Sequence, residues 1–175
     1  KAVTSTGKTR FTKLNAGEGD VLWRNTTITF SRDVGVKLRF HGVNYYDGQG
    51  FMVKKATGIK SAKDGNGASV CIQTGTTTEL NLADYFHGNG MKYEAVTIET
   101  NDEARQNYSA GRCDVYTTDA SGLAATRATF SDPQNHIILP EIISKEPLGP
   151  ATRQGDDQWS DTVSYTHLTL PTILL

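Results

Sequence analysis

The chain has 175 residues, 37% of them hydrophobic and 21% charged, with a formal net charge of −1. That suits a soluble globular protein of one domain, or of one and part of a second, and gives no basis for nucleic acid or an anionic membrane as partner. No run approaches the roughly 20 apolar residues that cross a bilayer as a helix, so direct membrane insertion is not expected.

The first stretch, AVTSTGKT (2–9), is one residue short of the phosphate-binding pattern G-x-x-x-x-G-K-[ST], with Ala2 where the first glycine belongs. A phosphate cradle needs a strand feeding a glycine-rich turn and then a helix whose N–H groups surround the anion. Here only Lys1 precedes the motif, and RFTKLNAGEGD supports a short helix that Gly17 and Gly19 end. The match reads as coincidence. GDVLWRN (19–25), VKLRFHGVNYY (36–46) and GFMVKK (50–55) read as strands without helices long enough to close a sheet of their own. Between the first two, WRNTTITFSRD (23–33) is a hydroxyl-rich turn carrying Arg32. The planar guanidinium fork matches two carboxylate oxygens; the plainer reading is a solvated arginine beside Asp33.

The middle of the chain alternates regularly. ASVCIQ (68–73), EAVTIET (94–100), CDVYTT (113–118) and HIILPEII (136–143) read as strands. TTELNLADYFHGNG reads as a helix capped by Thr76 or Thr77 that turns Leu80, Leu82, Phe86 and Ala83 inward; NDEARQNYSAGR and DASGLAATRATF supply two more. Strand–helix alternation repeated three times predicts a parallel sheet covered by helices. KEPLGPATRQGDDQW (145–159) returns as a strand and loop. The last segment, SYTHLTLPTILL (164–175), lacks charge and resembles translated adaptor sequence; it is expected to be a non-native tail, the alternative being a hydrophobic C-terminal strand.

The expected division is a partial first lobe over 1–53, an inserted α/β lobe over 54–143, a return to the first lobe over 144–163, and the tail from 164. Two crossings between lobes describe a hinged clamp. In an open α/β sheet, ligands bind beyond the carboxyl ends of strands, where strand order reverses. With a 2-1-3 order that crevice lies between 68–73 and 113–118. The segment QTGTTTE offers hydroxyls and helix-start N–H groups to an anion, and Asp119 offers a carboxylate to a cation; together they suit a zwitterion. The competing reading makes Thr76, Thr77 and Asp119 simple N-caps. The histidines, His41, His87, His136 and His167, are scattered, so neither a metal cluster nor a base–nucleophile pair is visible.

The set RNTTITFSRD, NYYDGQGFMV, VCIQTGTTTELNLADYF, GRCDVYTTDASGLAA and ILPEIISKEPLGPATRQGD resembles the periplasmic amino-acid-binding proteins of ABC transporters (solute-binding protein family 3), nearest to the general L-amino-acid-binding subgroup. The resemblance runs from about Lys8 to Val163 and implies a two-lobe type II periplasmic-binding fold, of which lobe two is complete here and lobe one partial. It implies a monomeric, non-enzymatic receptor without cofactor that passes free L-amino acids to a membrane permease, with the signal peptide outside these residues. Arg32 matches the arginine that grips the ligand α-carboxylate. Thr27 matches a hydroxyl residue contacting carboxylate and ammonium, and the Asn25 carbonyl is implied to accept from the ammonium. Thr77 matches the residue whose backbone N–H completes the carboxylate site, and Asp119 the acid that pairs with the ammonium. Gln73, Thr76 and Thr78 match positions lining the side-chain pocket. A dehydratase-like enzyme of the same fold, with Glu79 as the nearest acid–base residue, and a sensing domain of a signalling receptor are the alternatives. Cys71 and Cys113 would lie on neighbouring strands, about 5 Å apart; an oxidising compartment permits a disulfide, and two buried thiols are the other outcome.

Overall fold

The computed structural model describes residues 2–173, with side chains through Thr166. In chain order the elements are α1 (Arg10–Asn15), β1 (Leu38–Phe40), β2 (Tyr45–Asp47), β3 (Gln49–Lys54), β4 (Ser69–Gln73), α2 (Thr77–Gly88) and β5 (Glu94–Ile98). There follow α3 (Asn101–Ser109), β6 (Val115–Asp119), α4 (Ala120–Ala128), β7 (His136–Ile138), β8 (Glu146–Leu148), β9 (Ala151–Arg153) and α5 (Asp157–Ile173). The chain divides into two compact units. The first holds residues 2–5, Thr9–Tyr46 and 146–173; the second holds Thr6–Lys8 and Asp47–Lys145.

The second unit is built on a five-stranded sheet of order β5-β4-β6-β3-β7. Strands β5, β4 and β6 are parallel neighbours, in the 2-1-3 order expected. Strand β3 corrects the sequence reading. Read as part of the flanking lobe, it is inserted antiparallel between β6 and β7, so the sheet is mixed rather than all parallel. Its alternation explains why: Phe51 and Val53 enter one apolar cluster with Val70, Ile72, Leu82 and Phe86, while Met52 enters the other with Cys71, Tyr108, Tyr116 and Leu123. A strand that feeds two cores belongs in the interior of a sheet covered on both faces. The strand expected over 136–143 pairs only through Ile138. Pro140 cannot donate to a ladder, although Leu139 and Ile143 still give N–H bonds to Phe51 and Gln49 at 2.8 and 2.9 Å. The two cysteines lie in the second cluster, joined in a disulfide with Cα atoms 5.6 Å apart.

The helices start where their caps stand. Thr76 accepts from the Glu79 N–H at the head of α2, and Thr100 forms a capping box with Glu103 at the head of α3. The inward face of α2 is Thr78, Leu82 and Phe86; Leu80 is 67% exposed and Ala83 also faces water. At 100° per residue, Thr78, Leu82 and Phe86 share a stripe that Leu80 and Ala83 miss.

The first unit has a small core of Leu14, Leu22, Leu38 and Ala151. Strand β1 pairs antiparallel with β9, and β2 pairs with β8. Instead of a strand over 19–25 there is one bridge, Leu22 to Ala151, and Thr27 bridges Leu148. The strand expected over 36–46 is broken into two at Gly42, whose φ is +89°. The return over 145–159 contains two strands and then helix rather than a loop. Residues 164–173 continue α5, not a strand; 174–175, and the His167 side chain, lie outside what is described.

Candidate functional site

In the second unit the chain leaves β4 at Gln73 and turns through Gly75, whose φ of +75° is the left-handed conformation glycine allows. The turn is tied by its own side chains: Thr76 Oγ1 donates to the Gln73 carbonyl at 2.7 Å and lies 2.6 Å from Thr78 Oγ1. The Gly75 N–H donates to Glu79 Oε2 at 3.0 Å. Glu79, the acid named for the enzyme alternative, therefore closes this turn. Gln73 Nε2 donates to the Glu99 carbonyl at 2.7 Å, which fixes its amide. Thr76 being the cap, Thr77 is the first residue of α2, with its backbone N–H at the positive end of the helix dipole.

Asp119 ends β6 and occupies the N-cap position of α4, yet its side chain makes no capping hydrogen bond. Asp47 does that work from a distance. Its Oδ1 accepts from the Ser121 N–H at 3.4 Å and from the Gly48 N–H at 2.8 Å, and its Oδ2 accepts from the Ser121 hydroxyl. Because β4 and β6 are hydrogen-bonded parallel neighbours, Gln73, Thr76, Thr77 and Thr78 issue from the same sheet end as Asp119. This end carries helix-start N–H groups beside a carboxylate that is 6% exposed.

The first unit brings together Asn25, Thr27 and Arg32. Arg32 sits in a π-helical turn (Ser31–Gly35), is 7% exposed and donates from one terminal nitrogen to the Thr27 carbonyl at 2.7 Å. Thr27 Oγ1 donates to Glu146 Oε2 at 2.5 Å. Two residues that sequence reading missed belong here. Glu146 is buried, and Arg10, at the start of α1, donates to the Asn25 carbonyl at 3.0 Å and to Thr26 Oγ1 at 3.3 Å. That carbonyl, expected to take a ligand ammonium, thus already has one donor, and a carbonyl has a second lone pair. Both guanidinium carbons lie over the Phe11 ring, at 4.6 Å for Arg10 and 5.1 Å for Arg32. Arg10 gave no signal because a cation opening a short helix reads as a surface residue.

The remaining candidates resolve as structure. Gly7 to Thr9 form a turn into α1, which at six residues is too short for a phosphate cradle, and Lys8 is spent on an exposed ion pair with Glu99 at 3.8 Å. His136 is buried, 3.0 Å from the Tyr108 hydroxyl, 3.3 Å from Asp132 Oδ1, and stacked on Phe130. His41 lies between Thr152 and Ser164, 2.9 Å from each hydroxyl. Among the described residues no group of three His, Cys, Asp or Glu side chains is placed to hold a metal.

Comparison with known proteins agrees with this architecture. Residues 12–143 match the family model described as NMT1/THI5 like. The chain is 59% identical over 166 residues to the general L-amino acid-binding periplasmic protein AapJ of Rhizobium johnstonii, covering 95% of this chain and 49% of that protein. It is 58% identical over 170 residues to the glutamate/glutamine/aspartate/asparagine-binding protein BztA of Rhodobacter capsulatus, covering 97% and 50%. Among solved structures, a periplasmic binding protein from Brucella ovis with glutathione bound superposes with a TM-score of 0.91 at 54% identity, covering 95% of this chain and 53% of that one. The chain thus spans about half the length of the curated relatives it matches. Its fold is the α/β periplasmic-binding type that the motifs implied. The chain belongs to the NMT1/THI5-like family, and its curated relatives carry the names of amino-acid-binding proteins, one of them periplasmic and one a putative amino-acid ABC transporter-binding protein.

Proposed function

We propose that the protein is a periplasmic receptor that captures free L-amino acids and delivers them to the permease of an ABC importer. It acts as a monomer, without cofactor and without turnover. In this reading Arg32, Thr27 and the Thr77 N–H take the α-carboxylate. Asp119, Thr27 and the Asn25 carbonyl take the α-ammonium, while Gln73, Thr76 and Thr78 face the side chain. The observation that carries it is the pairing, at one sheet end, of the α2 start with an Asp119 carboxylate that does not cap its own helix. Helix-start N–H groups favour an anion and a carboxylate favours a cation, and a free amino acid presents both one bond from its α-carbon.

A first lobe of residues up to 46 and from 146 on, around an inserted lobe over 47–145 that takes in β3, is part of the same proposal, and so is a site to which both lobes contribute. A ligand gripped by residues of both lobes binds most tightly where both sets reach it, which shifts the conformational equilibrium toward that arrangement. The names of the relatives support amino acids as the ligand class. The broad-specificity form of the reading follows from gripping the head group, which all amino acids share.

The test is calorimetric titration of free L-amino acids into the protein carrying this sequence, with Arg32→Ala alongside, and product analysis after incubation. Micromolar or tighter binding that Arg32→Ala abolishes, with ligand recovered unchanged, supports the receptor. Absence of heat from every amino acid, or a converted ligand, overturns it.

A further inference from the structure

TGKT, set aside as a phosphate site, keeps a glycine that the amino-acid reading does not use. Thr6–Lys8 belongs to the second unit, while the chain on either side of it belongs to the first. Gly7 is buried there against the turn between β4 and α2. A Cβ at Gly7 would stand 3.1 Å from Thr76 Cγ2, 3.3 Å from the Thr74 carbonyl oxygen and 3.4 Å from Gln73 Cδ. The approach is as close from the other side: a Cβ at Gly75 would stand 3.0 Å from the Lys8 Cα. Two backbones thus meet with a glycine on each, an approach that a side chain on either would hold apart. Gly75 needs glycine for its φ of +75° in any case, whereas the φ of Gly7 is not in the left-handed range. At Gly7 the constraint is space.

Two of the three atoms that crowd Gly7 belong to side chains assigned to the ligand side-chain pocket. Both are held: Thr76 Oγ1 donates to the Gln73 carbonyl and accepts from the Glu79 N–H, and the Gln73 amide donates to the Glu99 carbonyl. Lys8 pairs with the side chain of that same Glu99. In so packed a contact an added methyl is relieved only by displacing what it touches.

We propose that Gly7 is a positioning residue for side-chain recognition: by presenting bare backbone to Thr76 and Gln73, it sets how far these two side chains stand into the pocket, and so how large a ligand side chain is admitted. The proposal rests on the amino-acid-binding reading. A methyl at residue 7 pushes the Thr76 methyl and the Gln73 amide away from Thr6–Lys8 and narrows the pocket, while the groups that grip the ligand head are left as they are.

The test is a cycle of substitutions read with two ligands. Affinities for free L-alanine and L-glutamine are measured by calorimetric titration for the native protein, Gly7→Ala, Thr76→Ser and the double variant. Thr76→Ser deletes the Cγ2 that the new methyl would press and keeps the Oγ1 that caps α2. Gly7→Ala is expected to weaken glutamine binding about five- to tenfold and alanine binding less than about twofold. In the Thr76→Ser background the same substitution changes either affinity by less than about twofold. Equal losses for the two ligands indicate a merely structural contact and overturn the proposal. So do unchanged affinities in Gly7→Ala, and a loss for glutamine that survives Thr76→Ser.

Should the native protein take only one of these ligands, the smallest and largest amino acids that it does bind replace them. Should Gly7→Ala be too unstable to titrate, the double variant, relieved of the contact, is expected to fold and to bind with the preference of Thr76→Ser. A double variant as unstable as Gly7→Ala overturns the proposal. A native protein that binds no amino acid sinks the receptor reading and this proposal together, whereas a native protein that binds and a Gly7→Ala protein of the same preference sink this proposal alone.

Discussion

Gln49 ties two elements of the second unit with the two protons of its side-chain amide: Nε2 donates to the Thr78 carbonyl at 3.0 Å and to Thr117 Oγ1 at 2.9 Å. Gln49 is wholly buried, and Thr117 passes its own proton to the Gly50 carbonyl at 2.7 Å. One side chain on β3 therefore links the first turn of α2, where Thr77 lies, to the strand that ends in Asp119. Gln49→Ala is expected to cost about 1–3 kcal/mol of stability, because a buried carbonyl loses its donor and a void opens. It should also weaken ligand binding, since the two groups lose their common tie. Chemical denaturation and titration of the same variant check both effects.

Gly48 stands where β3 begins, with the Ile142 side chain and the Ser144 carbonyl against the place a Cβ would occupy. Gly48→Ala therefore overpacks a backbone-to-backbone contact, at a cost of about 1–3 kcal/mol. A thermal midpoint unchanged from the native protein would show that residues 142–144 can move aside.

The Cys71–Cys113 bond closes a loop of sequence separation 42 within the second apolar cluster. Replacing Cys113 with Ser removes the crosslink and leaves a hydroxyl at a site 2% exposed. The expected loss is roughly 2–4 kcal/mol, seen as a lower urea midpoint. Reduction of the native protein should lower it in the same direction.

Burial, then the Asp119 charge, pushes the Tyr116 hydroxyl up to about 12, and burial with the Asp132 charge raises Tyr108 as well. An unfolded tyrosine ionises near 10. A raised folded value means that stability is complete below pH ~10 and is lost as pH rises from there through the folded value, because only the unfolded chain releases the proton early. Asp114 has the opposite sign: hydrogen bonds from the Ser69 hydroxyl and N–H lower it, so its contribution is present above pH ~4 and is lost as pH falls through its folded value. Urea midpoints between pH 9 and 12 should decline, and Tyr116→Phe should flatten that decline.

Much of the second unit was legible locally. Val70, Ile72, Val115 and the turns around them mark buried strands, and Thr76 and Thr100 announce helices by capping chemistry that acts within four residues. What failed was non-local. The run FMV suits any buried strand, and nothing within it says that both its neighbours lie far along the chain and run the other way. Leu80 was read inward because it is apolar, although its angle on α2 points it to water. Asp119 was readable only as a cap or a ligand group. The carboxylate that bonds the start of α4, Asp47, lies in another part of the sequence, and no periodicity connects it to Ser121. Arg10 and Glu146 were hidden for the same reason, since each is buried by partners from distant segments.

The antiparallel insertion of β3 has a consequence for how the protein comes into being. Synthesis produces β3 early, while both strands that flank it, β6 and β7, come much later. Until then β3 is an apolar ribbon with two unsatisfied edges, the kind of surface on which chains join wrongly. Its pairings are long-range, so closing the sheet waits on slow loop closure. The second unit cannot be finished from its regular strand–helix repeats alone; the strand made first is also among the last to be locked in place.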